Sequence, residues 1–209
     1  MALWSSRATV ERFETGSQHS ERILPMVQEV LADAGIVLSQ LDAIGFGRGP
    51  GSFTGLRICA GVAQGLAFGA NIPVVPISSL AALAQGADAP KVLAAFDARM
   101  NQVYWGAYVR NAQGIVELQG EEEVISPAVV PVPPGAGWVG AGSGWDQFSS
   151  VLMQRLNNCV TEWYAQSFPR ACFVAQLAAV SYANGVSLAP EMALPVYLRD
   201  EVATKRKIP

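Results

Sequence analysis

The segment from Leu41 to Gly69 constrains this chain more than any other. Leu41 to Phe46 is a short apolar run with the character of a buried strand, and it leads directly into Gly47-Arg48-Gly49-Pro50-Gly51-Ser52-Phe53-Thr54-Gly55. A helix is predicted from there to about Gly69. A strand, a glycine-rich loop and a helix in that order bring backbone N–H groups to the positive end of a helix, an arrangement that cradles phosphates. The stricter nucleotide signatures fail. A Walker A loop needs a lysine after its last glycine, and no lysine precedes Lys91. The dinucleotide fingerprint built on Gly49 and Gly51 needs glycine at position 54, where Thr54 stands.

The segments around this unit alternate between strand and helix. Residues 3 to 15 carry several β-formers and read as a strand or hairpin arm. Ser20 is placed to cap a helix in which Ile23, Met26, Val27, Val30, Leu31 and Ala34 recur at three and four, forming one apolar stripe that Gly35 ends. Pro25 should kink that helix. Pro73 to Ile77 and Lys91 to Phe96 read as strands, separated by a helix from Ser79 to Gln85, so a sheet with covering helices is expected. After Phe96 the pattern changes. Val103, Trp105, Ala107 and Val109 alternate, and Asn111-Ala112-Gln113-Gly114 supplies a turn, which predicts a hairpin. Pro127 to Pro134 reads as a linker or lobe edge, Trp138 to Ala141 as a strand, Gly142-Ser143-Gly144 as a turn into a helix, and Arg170 to Ala183 as a last helix.

Composition narrows the function classes. Hydrophobic residues make up 51% of the 209 and charged residues only 15%, so part of the surface is expected to meet another protein. A net charge of −3 argues against gripping a polyphosphate backbone unaided. Cys59, Cys159 and Cys172 are odd in number and lack CxxC spacing, which fits small buried residues in a reducing compartment such as the cytosol. No apolar stretch supports export or membrane spanning. His19 is the sole histidine, so a Ser-His-Asp or Cys-His centre would have to use it, and a zinc or iron site would lack ligands. Asp97 and Arg99, at the end of a strand, either line a cleft or form a structural ion pair. Lys205-Arg206-Lys207 reads as solvated charge.

The helix behind the glycine loop carries Gly61, Gly65 and Gly69 four apart, with Ala60 and Ala67 read as close to the same side. So flat a face lets two helix backbones approach closely, either inside one domain or between subunits.

Taken together, the string Gly47 to Arg57, with Ala63-Gln64-Gly65-Leu66-Ala67, Leu93 to Met100, Val103-Tyr104-Trp105, Pro195-Val196-Tyr197-Leu198-Arg199 and His19 to Gln28, closely resembles the TsaB family, also called YeaZ. The resemblance implies an α/β fold of the actin-like ATPase, RNase H-like type with two lobes, here divided as residues 1–98, carrying the dimerisation helices, and 99–209. Family members usually begin with an additional strand, and the resemblance here starts at the strand that follows it. The resemblance also implies a non-catalytic subunit that pairs with a TsaD-type catalytic subunit, works with a TsaE-type ATPase in forming threonylcarbamoyladenosine in tRNA, meets tRNA only through that complex, and forms homodimers through its two N-terminal helices. Ile23, Met26, Val27, Val30, Leu31, Gly61, Gly65 and Gly69 are then the expected interface. No cofactor is assigned to the chain by itself, and the resemblance admits ATP at the subunit boundary of the complex. The competing readings are an actin-like ATPase or phosphotransferase acting alone, and a peptidase.

Overall fold

A computed structural model gives the fold and describes residues 1–5, 9–14 and 19–199, with the side chains of His19 and Ser20 undescribed. The basic tail at 205–207 lies outside them. The chain opens with an antiparallel hairpin of β1 (Ala2–Trp4) and β2 (Thr9–Glu11), followed by α1 (His19–Ala34). Helix α1 therefore starts ahead of Ser20, which falls in its first turn rather than at its cap, and Pro25 lies inside it. Gly35 stops the helix as expected: at φ +66°, it donates to the Ala32 carbonyl while Ile36 donates to that of Leu31, a Schellman closure.

The next unit is β3 (Ile44–Gly49), α2 (Phe53–Ala70) and β4 (Val74–Ser78), with β3 and β4 paired in parallel. β3 begins later and ends later than its apolar run predicts. Gly47 and Gly49 still pair with Ile77 and Ser78, across a shift of register at Arg48, because a neighbouring ladder holds glycines that have little strand propensity of their own. The loop proper is thereby reduced to Pro50, Gly51 and Ser52.

Helix α3 (Ser79–Gly86) connects to β5 (Lys91–Asp97), the middle of a five-stranded sheet in the order β7, β6, β5, β8, β9. Strands β6 (Val103–Arg110) and β7 (Val116–Ile125) form the expected hairpin, with β6 antiparallel to β5, whereas β8 (Trp138–Ala141) adds in parallel to β5 and β9 (Val160–Tyr164) in parallel to β8. β5 is apolar throughout because both faces are covered. Val92 and Ala94 face a core shared with Val75, Leu80, Leu83 and Leu177, while Leu93 and Ala95 face one built on Trp105, Trp138, Trp145 and Leu152. Trp145 belongs to α4 (Ser143–Leu156) and donates its indole N–H to the Leu93 carbonyl at 2.8 Å.

Two connections cross residue 98. The sheet of β5 continues through β9, and the last helix, α5 (Ala171–Ala183), packs against β1, β3 and β4. The proline-dense stretch is a packed strap rather than a free linker, with Val130 fully buried and its carbonyl accepting from Arg155 Nε at 3.0 Å.

Glu11 ties the hairpin to α5. Its carboxylate pairs with Arg170 and accepts the Cys172 backbone N–H at 3.1 Å, within the first turn of that helix. Burial alone would raise the Glu11 pKa, but the hydrogen bonds from Arg170 and Cys172 and the Arg170 charge prevail and hold it below its ordinary value of 4.5. A depressed carboxylate stabilises the fold above the unfolded pKa and loses that contribution as pH falls through the folded one. Glu11→Gln should therefore narrow the difference in melting temperature between pH 7 and about pH 4, compared with the native chain. An unchanged difference would show that this carboxylate carries no acid sensitivity.

Candidate functional site: the glycine loop and the outer face of the second helix

The loop is held from three directions. From below, Leu56 at the start of α2 is buried against Gly49, and Ser52 caps the helix by accepting the Gly55 N–H at 3.5 Å. From one side the C-terminal strap arrives, with Val196 N–H donating to the Arg48 carbonyl at 2.7 Å. A Cβ on Gly49, whose φ is +113°, would lie 2.8 Å from the Val196 carbonyl oxygen, so only glycine suits the position. Gly49→Ala is expected to cost about 1–3 kcal/mol in a urea titration, and a loss below about 0.5 kcal/mol would mean that the strap yields freely.

The strap also places Tyr197 beside the loop. Its hydroxyl accepts from Arg57 Nε at 3.0 Å, its ring lies 5.5 Å from that of Phe53, and the Arg57 guanidinium sits 3.8 Å from the Phe53 centroid. Arg57 is thus engaged on two sides.

Arg48 faces the third direction. It extends from β3, not from a loop, to a carboxylate oxygen of Glu122 at 3.7 Å. The other Glu122 oxygen accepts from the Ser78 and Tyr108 hydroxyls, and only 7% of the Glu122 side chain is exposed. Ser78 in turn accepts from Leu80 and Ala81 N–H and so caps α3. Burial first, and then the adjacent Glu122 charge, push the Tyr108 hydroxyl far above its ordinary pKa, which keeps it a hydrogen-bond donor. Both arginines nearest the loop therefore already have partners within the chain, which leaves the loop poorly equipped to hold a phosphate group unaided.

Helix α2 divides cleanly. Leu56, Ala60, Ala63 and Ala67 are buried over β3, while Gly61, Gly65 and Gly69 point outward, where a Cβ on any of them would meet nothing within 4 Å. Ala60 and Ala67 consequently lie on the inner face, not beside the glycines. Phe68, 74% exposed, stands among the outward positions. Of the apolar stripe on α1, Met26 and Val30 are buried within the chain, Ile23, Val27 and Leu31 are half-buried, and Leu24, outside the stripe, is 51% exposed.

Asp97 and Arg99 form an ion pair at 3.3 Å, and Asp97 also accepts the Arg99 backbone N–H at 2.8 Å. Arg99, Met100 and Asn101 all have positive φ, so the carboxylate braces a left-handed turn between β5 and β6. Gly47, Gly51, Thr54 and Gly55 lie around the loop without charged partners of their own. Among the described residues no group of His, Cys, Asp and Glu is arranged to hold a metal ion, and no helix is long and apolar enough to cross a membrane.

Sequence reasoning missed Glu122, Tyr108 and Ser78. Strand alternation was the available signal, since it turns Glu122 inward between Glu121 and Glu123, but nothing local names its partners.

Comparison with known proteins supplies the relationship. Residues 13–137 match the family model described as TsaD, tRNA N6-adenosine threonylcarbamoyltransferase. The tRNA threonylcarbamoyladenosine biosynthesis protein TsaB of Escherichia coli K12 is 40% identical, over 99% of this chain and 92% of that protein. Its counterpart in Haemophilus influenzae is 41% identical over 90% of this chain and 83% of the relative. A solved structure of YeaZ from Pseudomonas aeruginosa superposes with a TM-score of 0.86 at 43% identity, covering 94% of this chain and 92% of that one. A second structure, described as an uncharacterized protein with similarity to peptidase YeaZ from the same organism, also gives 0.86 and 43%. With 40% identity running almost end to end and the actin-like α/β fold shared with YeaZ, the chain belongs to the TsaB family.

Proposed function

We propose that this chain acts in the formation of threonylcarbamoyladenosine in tRNA as a non-catalytic subunit that pairs with a TsaD-type catalytic partner and works beside a TsaE-type ATPase in the cytoplasm. The observation that carries the pairing is the outward row Gly61, Gly65 and Gly69, an open helix face bordered by exposed Phe68. Close backbone approach is what such a row offers to a second helix, and bulky side chains there would prevent it. Leu24 and the half-exposed Ile23, Val27 and Leu31 of α1 extend the contact, while Met26 and Val30 support it from beneath. In the absence of the partner, the same face pairs two copies of the chain. The engagement of Arg48 and Arg57 within the chain argues against a solitary ATPase or phosphotransferase and leaves any ATP to the boundary with the partner. RNA is met through the complex, in keeping with the net charge of −3.

The test is reconstitution of tRNA threonylcarbamoylation with TsaD-type and TsaE-type proteins and threonylcarbamoyl-adenylate, with or without this chain. Modified adenosine that depends on the chain supports the assignment. Modification at the same rate without it would overturn the accessory role, and steady phosphate release from ATP by the pure chain would establish the solitary ATPase instead.

A further inference from the structure

Arg57 stands four residues before Gly61, so it heads the row that Gly61, Gly65 and Gly69 continue at the same spacing. It is the sole charged residue of α2 and lies on the exposed side of that helix. A long arginine side chain in water samples many rotamers and gives them up to hold a partner. Here that cost is met within the chain. The Tyr197 hydroxyl accepts from Nε at 3.0 Å, and the Phe53 ring lies under the guanidinium, its centroid 3.8 Å away. The two rings brace each other at 5.5 Å and 34°, and Tyr197 is itself anchored through the Val196 N–H on the Arg48 carbonyl. These contacts use Nε and one face of the guanidinium. Among the described residues its two Nη groups have no partner.

A planar fork fixed in this way matches a carboxylate, which accepts from both Nη groups at once. A phosphate would find a single cation, because α2 carries no second one and Arg48 is drawn to Glu122. In the free chain an exposed pair of this kind is worth little. Under a second helix laid along the glycine row the balance changes, since the guanidinium loses water and a partner without an acid leaves it unpaired. A second copy of the chain offers little in return. Helix α2 holds no Asp or Glu, and on α1 Glu29 and Asp33 are already paired with Arg22 and Arg12, which leaves Glu21 in the first turn.

We propose that Arg57 selects the partner of the glycine row: its held fork takes the side-chain carboxylate of an Asp or Glu on the partner's helix, about one turn from the residue that packs against Gly61. An acid-bearing subunit is thereby favoured over a second copy of the chain. This rests on the pairing put forward above and adds the chemistry by which the partner is chosen. Tyr197 is then a positioning residue, acting through Arg57 and delivered by the C-terminal strap.

The test measures two dissociation constants for the full chain, one with a TsaD-type subunit and one for self-association, beside thermal melts that confirm folding. Arg57→Gln should weaken the mixed pair about tenfold or more and change self-association less than about twofold. Arg57→Lys keeps the charge without the fork and should lose most of the same affinity. Tyr197→Phe, which frees Nε, should weaken the mixed pair roughly threefold. Arg57→Glu should abolish it, and one Asp or Glu changed to Lys on the contacting helix of the TsaD-type subunit should restore it. A native mixed-pair constant with Arg57→Gln or Arg57→Lys would overturn the proposal, as would equal weakening of both pairings or no restoring change on the partner. Asp200→Asn with Glu201→Gln should leave both constants unaltered, and a tighter mixed pair there would mean that the chain's own acids hold the fork, which also overturns it. Loss of pairing in Gly65→Leu without loss in Arg57→Gln would remove this inference and keep the glycine row as the contact, whereas no mixed pair with the native chain would remove both.

Discussion

Gly65→Leu is expected to leave the chain folded and to weaken its pairing with a second subunit by about 2–3 kcal/mol, roughly 30- to 150-fold in dissociation constant. The two parts of that expectation have separate causes. Within the chain, a Cβ at position 65 meets nothing within 4 Å, so no native contact is displaced. Glycine in a helix interior also costs about 0.5–1 kcal/mol relative to a good helix former, so the isolated chain should melt no lower and even slightly higher. Across the proposed interface the sign reverses, because three added carbons beyond Cβ hold the two helix axes apart and forfeit close packing along the row. Sedimentation of the chain alone and with a TsaD-type partner, run beside thermal melts, reads both. Unchanged association would remove the glycine row from the interface, and a lowered melting temperature would mean that the face is covered within the chain.

The region from Ile44 to Asp97 was legible in the sequence because local rules agree there. An apolar run, a capping Ser52, glycine spacing and a continuous β5 all point to the same elements, and the elements form where expected within a few residues. The end of β3 was misplaced because register with β4, not composition, decides how far Gly47 and Gly49 remain strand. Strand β9 was missed for a related reason. Val160 is its one buried residue, Thr161, Glu162 and Trp163 are exposed, and an edge strand of that kind shows no alternation to read.

The candidate site was legible in part. The glycine row is a helical periodicity and can be read locally, but which neighbours share its face cannot be judged by eye. Ala60 lies one residue, about 100° of helix turn, from Gly61, and falls on the buried side. Glu122 illustrates the greater difficulty. It sits in an acidic triplet that resembles any solvated strand end, and its importance comes from Ser78, Tyr108 and Arg48, supplied by three other strands. Tyr197 reaches Arg57 from the far end of the chain in the same way.

Glu122→Ala should accordingly be the most damaging single change near the loop, at about 2–4 kcal/mol. The carboxylate satisfies two hydroxyls and one guanidinium, and its removal strands all three at once. Ser78 would still cap α3, but Tyr108, 2% exposed, would lose the acceptor for its O–H in a place that water reaches poorly. Arg48 retains about a third of its side-chain exposure, so solvent recovers part of the lost ion pair, which keeps the estimate below that for a fully buried pair. Glu122→Gln separates the contributions: it preserves the shape and one acceptor for the hydroxyls while deleting the charge opposite Arg48, and should cost about half as much. Urea titrations of the two variants and the native chain measure the series directly. If the alanine variant falls within about 0.5 kcal/mol of native, the cluster is not what fixes Arg48 at the head of the loop. If glutamine costs as much as alanine, the ion pair and not the hydroxyl network carries the interaction.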